Sequence, residues 1–182
     1  MIIDLFSRMV VGYKIGKTNS TQLVKSTFQI AYKARQPDSS LIFHTDRGGN
    51  YRSKAMNGYM RSLHITHSFS RAHVPYDNSV MESFFASLKR EELYRTKYRS
   101  EADFRSAVDK YIIFYNTKRP HRKLQYKTPE QKEEEYALKL GDLHELLELI
   151  FAFLPRWSQK FLDNFEHRHD VPFLRLAKLC HQ

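Results

Sequence analysis

The sequence predicts a mixed α/β fold, a sheet flanked by helices. Three observations predict it. Two β-rich runs, "MIIDLF" and "MVVGYKIG", open the chain with only Ser7 and Arg8 between them, which reads as a tight hairpin. A short continuous apolar run, "SLIFHTD", ends in polar residues, the pattern of a buried strand whose C-terminal end faces a site. Strands come first, and a strand then alternates with helical patterns, which is the order of a mixed sheet covered by helices.

The elements follow in chain order. "NSTQLVKSTFQIAYKARQ" carries Leu23, Val24, Phe28, Ala31 and Tyr32 at helical spacing, with Asn19 or Ser20 as N-cap and Pro37 closing it. "SKAMNGYMRSL" reads as a helix and "ITHSFS" as a strand. "RAHVPYDN" is a loop, since Pro75 excludes a continuing strand. Asp77 or Asn78 then caps a helix through about Glu92, with Met81, Phe84, Phe85 and Leu88 in one apolar stripe. A second long helix covers roughly 100–116. "TPEQKEEEYALKL" starts another, with Thr128 as cap, Pro129 at the first helical position, Gln131 completing a near capping box, and Gly141 as the expected stop. Short amphipathic helices, broken near Pro155 and Pro172, are expected beyond it.

The 182 residues suffice for one domain with a real core and appendages. The net charge is +10, and it is unevenly placed. Residues 1–138 hold 24 basic and 14 acidic residues, whereas 139–182 hold six of each. An excess confined to one region suggests a polyanionic partner, most often nucleic acid, though a merely basic surface gives the same count. Two units are therefore expected: 1–138, which carries the whole basic excess, and 139–182, a helical tail of unassigned role. Cys180 is the sole cysteine, so no intrachain disulfide can form and a reducing cytosol is the expected home. The opening run contains Asp4 and lacks a basic n-region, unlike a signal peptide, and "LLELIFAFL" is too short to span a bilayer. No membrane association is expected.

Two acids stand out. Asp46 follows a predicted strand, where α/β sheets place their chemistry. Glu82 lies in the first turns of a helix, with thirty-five residues between it and Asp46, and Lys89 shares its helical face two turns along. Carboxylates from different elements meeting at a strand end can hold Mg²⁺, which takes oxygen ligands and completes its octahedron with substrate phosphates. Two such ions can hold both the attacking and the leaving oxygen of a phosphodiester displacement. Taken singly, each acid has an ordinary explanation as a turn residue or a helix-dipole partner.

The blocks "LIFHTDRGGNY", "DNSVMESFFASLKREELY" and "FYNTKRPHRKLQYKTPEQ", together with "IIDLFSRMVVGY", resemble the integrase core of bacterial insertion-sequence transposases, of the DDE type and the insertion sequence three family, related to retroviral integrases. The resemblance covers about residues 1–136 and includes the spacing between the last two acids. It implies an RNase H-like fold and three acids that bind Mg²⁺ or Mn²⁺ for DNA cleavage and strand transfer. By position Asp46 matches the second acid, Glu82 the third, and Lys89 the basic residue used on DNA. The implied partners are transposon-end and target DNA, with a homo-oligomer or a full-length transposase beside it, in the bacterial cytoplasm. In the family the first acid lies on a strand upstream of "IDLFSR". This chain begins at that second strand, so a core lacking its first strand and first acid is expected, with impaired activity; Asp4 is the one nearby acid to consider as a substitute.

The remaining basic residues fit this reading. Lys118, Arg119, His121, Arg122, Lys123 and Lys127 lie within ten residues, flanked by Tyr115 and Tyr126, which suits a DNA backbone contact or, equally, a solvated loop. Arg71, with Arg47 and Arg52, flanks the acids and could meet phosphate. His44, His64, His67 and His73 have no accompanying cysteine and no repeated ligand spacing, which argues against zinc. Three functions are weighed: a strand-transfer enzyme, a non-catalytic DNA-binding or multimerising transposase remnant, and an RNase H-like nuclease.

Overall fold

A computed structural model describes residues 1–37, 40–71, 75–152 and 177–179. The opening hairpin forms as expected. β1 (Ile2–Asp4) pairs antiparallel with β2 (Val10–Gly12), and Arg8 turns the chain with φ 64°. Asp4 closes this turn: its Oδ1 accepts the Phe6 N–H at 2.7 Å and the Ser7 N–H at 3.0 Å.

Helix α1 (Thr21–Arg35) starts at Ser20, whose hydroxyl accepts the Leu23 N–H, and stops at Gln36 in the left-handed region just before Pro37. β3 (Ile42–Thr45) follows, then α2 (Lys54–Ser62) and β4 (Thr66–Phe69), which lies parallel to β3. A 3₁₀ turn, Pro75–Asn78, leads into α3 (Ser79–Leu88). The helix expected to run to Glu92 instead widens into one π-turn, Lys89–Leu93. α4 (Glu101–Thr117) is capped by Ser100, and α5 (Pro129–Ala152) by the expected reciprocal pair: the Thr128 N–H donates to Gln131 and the Gln131 N–H donates to the Thr128 hydroxyl.

Two features of the C-terminal region differ from expectation. α5 continues through Gly141, because one glycine costs a helix only about 1 kcal/mol. The short helices expected around Pro155 and Pro172 lie outside the described residues, and beyond them a strand forms, β5 (Ala177–Leu179). β5 enters the middle of the sheet, whose order is β2-β1-β5-β3-β4. It runs antiparallel to β1 (Ile3↔Lys178, Asp4↔Ala177) and parallel to β3 (Phe43↔Ala177 through Thr45↔Leu179). The position where a strand was expected to be missing is therefore filled from the far end of the chain.

Side chains alternate across the sheet and build a core on each face. On one face Ile2 and Phe43 pack with Val24, Phe28 and Ala31 of α1 and Met56 and Met60 of α2. On the other, Ile3 and Val10 pack with Met81, Phe84 and Leu88 of α3 and Val108, Ile112 and Tyr115 of α4. Gly12 lets α1 approach closely, since a Cβ there would sit 2.9 Å from the Ala31 Cβ.

Candidate active site

Asp46 follows β3 directly, and its placement comes from a tight turn. Its Oδ1 accepts the Gly48 N–H at 2.8 Å. A Cβ at Gly48 would lie 3.0 Å from that same oxygen and 3.3 Å from the Tyr51 ring, so a side chain here would press on the Asp46 carboxylate. Glu82 is exposed in the first turn of α3, one position beyond the buried Met81.

A chain of hydrogen bonds ties these two segments together. The Ser70 N–H donates to the Thr45 carbonyl at 2.8 Å, carrying the chain after β4 along the end of β3. The Arg47 Nε donates to the Ser70 carbonyl at 2.9 Å. The Arg71 N–H in turn donates to the Asp77 carboxylate at 2.9 Å, two residues before α3 begins. That bond, together with the Arg71 guanidinium and the nearby His44, holds the Asp77 carboxyl below the usual carboxylate range. The N-terminus of α3 is thus fastened to the C-terminal end of β3. Sequence reading assigned Asp77 or Asn78 to capping α3. Instead Asp77 binds Arg71, and Asn78 makes no side-chain cap bond.

Asp4 belongs to the opposite end of the sheet. It is level with Ala177, which is level with Phe43, three residues short of Asp46. With strands about 4.8 Å apart and a rise of about 3.3 Å per residue, the Asp4 and Asp46 backbones lie on the order of 14 Å apart. Asp4 is also buried, and desolvation raises its pKa above the ordinary aspartate value. It therefore serves the hairpin turn and does not substitute for an acid beside Asp46. Among the described residues no group of three or more His, Cys, Asp or Glu is placed to hold a metal ion.

The histidines of the strands are engaged with their neighbours. His44 Nδ1 lies 3.0 Å from the Ser68 hydroxyl and Nε2 3.1 Å from the Ser70 hydroxyl. His67 Nε2 lies 3.0 Å from the Thr45 hydroxyl, and its ring packs between Phe43 and Phe69. Burial pushes the His67 pKa down to about 4, with His44 adding to the shift. His73 lies outside the described residues.

The basic residues separate into two groups. The Arg119 guanidinium is turned into the fold onto Glu91, and it lies over the Tyr115 ring. The His121 ring meets Tyr115 edge-on at 4.5 Å, and burial lowers its pKa. Lys89 begins the π-turn, half-buried. Arg71 is exposed and within 3.5 Å of Asp77. Arg122, Lys118 and Lys123 are exposed and form no ion pair among the described residues. Lys127, expected in the same cationic loop, is paired with Glu135 at 2.7 Å.

Two family models, both described as integrase core domain, match consecutive and overlapping parts of this chain, residues 1–75 and 55–129. The chain belongs to the integrase core family. It is 38% identical over 133 residues to the transposase for insertion sequence element IS904 of Lactococcus lactis subsp. lactis (strain IL1403), covering 72% of this chain and 53% of the relative. It is 35% identical over 134 residues to transposase InsF for insertion sequence IS3A of Escherichia coli (strain K12), covering 73% and 46%. The chain thus spans about half the length of the curated relatives it matches. In fold it is similar to a chain of the simian T-cell lymphotropic virus intasome in complex with PP2A regulatory subunit B56 gamma, with a TM-score of 0.51 at 19% identity over 64% of this chain and 41% of that one. This is the RNase H-like integrase fold, with β5 in its central position. No helix among the described residues is long and apolar enough to cross a membrane.

Proposed function

We propose that this chain is the catalytic region of an insertion-sequence transposase that binds DNA through its basic face and that, in this form, is impaired in strand transfer. The observation that carries the reading is the fastening of α3 to the end of β3, which puts the segments bearing Asp46 and Glu82 on one end of the sheet. In this reading Asp46 and Glu82 are the acids that would hold Mg²⁺ or Mn²⁺, and the ion would polarise a phosphodiester oxygen when bound. Their donor chemistry fits a hard cation, but two acids fall short of the three that the resemblance implies, and Asp4 sits too far away to be the third. The Gly48 N–H orients the Asp46 carboxylate. Arg122, Lys118 and Lys123 neutralise backbone phosphates, with Lys89 beside the Glu82 face, and transposon-end and target DNA are the proposed substrates.

The test pairs two assays on the same protein. Binding to duplex DNA is measured against salt, and strand transfer on transposon-end DNA is measured with Mg²⁺ or Mn²⁺. Salt-sensitive binding with transfer far below that of a longer relative is expected. Full transfer activity would overturn the impairment. Absence of DNA binding would overturn the function. A second reading, a non-catalytic DNA-binding or multimerising form, is favoured by the absence, among the described residues, of a cluster of three acids. It predicts that Asp46→Asn and Glu82→Gln leave DNA binding and its divalent-ion dependence unchanged.

A further inference from the structure

The sheet is completed by a segment that arrives late and from a distance. β1 and β3 are not paired with each other; β5 stands between them and pairs with both. Among the described residues these two ladders are the principal contacts of β5. Residues 153–176 separate it from the end of α5, and 24 residues extended at about 3.3 Å each can reach roughly 80 Å. Strand β5 is therefore joined to α5 through 24 residues of chain and fills a slot with a defined polarity: antiparallel to one wall and parallel to the other. An empty slot would leave buried backbone donors and acceptors unpaired on both walls, so the slot favours being filled.

We propose that this slot is a strand-exchange site between two copies of the chain, in which residues 177–179 of each copy complete the sheet of the other. The exchange keeps every backbone bond of the ladder, because the incoming strand is chemically identical to the one it replaces. Only tether closure and the entropy of association then separate the closed monomer from the exchanged dimer, so concentration decides between them. The consequence for the site is direct. Leu179 is level with Thr45, the residue before Asp46, so in the exchanged dimer the strand beside each Asp46 belongs to the other copy. The inference concerns assembly and does not rest on the DNA reading.

The register supplies the test. His44 and Lys178 are paired in the parallel ladder. Neighbouring strands about 4.8 Å apart place such a pair within disulfide range. Three full-length proteins are made, all with Cys180→Ser: one with His44→Cys, one with Lys178→Cys, and one with both. The two single variants are mixed over a range of concentrations and oxidised, with no DNA present. A disulfide-linked species of twice the 21.7 kDa chain mass, its yield rising with concentration, is expected. The double variant is expected to close within one chain when dilute and between chains when concentrated. If the single variants never cross-link while the double variant closes internally at every concentration, the strand stays with its own chain and the proposal fails. If the double variant closes in neither way, residues 177–179 do not occupy the slot, and the proposal fails at its premise.

Discussion

The guanidinium of Arg119 closes on the carboxylate of Glu91 through two hydrogen bonds, Nε at 2.8 Å and a terminal nitrogen at 2.6 Å. The Tyr111 hydroxyl donates a third at 2.9 Å. Glu91 lies in the π-turn and Arg119 just beyond α4, so the pair pins the irregular end of the α3 segment to the long helix. Both side chains are mostly buried, at 21% and 25% exposed. Arg119→Ala is expected to cost about 1–3 kcal/mol of stability, in the range for a hydrogen bond to a charged group and the partner left behind. Urea denaturation at neutral pH checks this.

The same pair makes stability depend on pH. The Arg119 hydrogen bonds hold the Glu91 carboxyl below its usual range, against the opposing effect of burial. The folded pKa is then lower than the unfolded one. The contribution is complete above the unfolded value of about 4.5 and is lost as pH falls through the folded value. Stability should fall on acidification below about pH 4.5 in the native chain, and less steeply in Glu91→Gln.

His67 acts in a neighbouring window. Its folded pKa, pushed down to about 4, lies below the ordinary 6.5. Between these values the unfolded chain binds a proton that the folded chain refuses, so stability rises as pH increases from about 4 to 6.5. Replacing the ring with His67→Phe should flatten this part of the profile, as read from denaturation midpoints across the window.

Two glycines mark close approaches. Gly12→Ala should destabilise by about 1–3 kcal/mol, since the added methyl meets the backbone and Cβ of Ala31 rather than a flexible side-chain tip. Gly48→Ala presses on the Asp46 carboxylate instead, so its main effect should be on any divalent-ion affinity at Asp46, measured by calorimetry with Mn²⁺, and little on the unfolding midpoint.

The two groups of cations should separate in a salt titration. Arg122→Gln and Lys123→Gln are each expected to make the slope of log affinity against log salt less steep by about 0.9, one phosphate contact apiece. Arg119→Gln should lower the unfolding midpoint and leave that slope nearly unchanged, because its charge is already spent on Glu91.

Much of this fold was legible because its signals are local. The Ser20 cap, the Thr128–Gln131 box and the hairpin at Ser7-Arg8 each lie within a few residues of the element they define. The π-turn was not legible: the apolar stripe continues smoothly through Leu88, and the turn's Glu91 finds its partner in Arg119, 28 residues away. β5 was not legible either. "AKL" is too short to show alternation, and what makes it a strand is the slot between β1 and β3. At the candidate site the sequence pointed to Asp46 and Glu82. The clasp joining their segments runs through backbone groups of Ser70 and Arg71, which carry no sequence signature.

The central place of β5 also sets a timetable. A ribosome adding about 5–20 residues per second needs roughly 7–27 s to travel from Thr45 to Leu179. Throughout that interval the nascent chain holds the two inner walls of its sheet without the strand that joins them, each offering a row of unsatisfied amides to any extended peptide nearby. Cotranslational folding would therefore stall at two half-sheets, with chaperones and neighbouring nascent chains competing for the opening until residues 177–179 leave the exit tunnel.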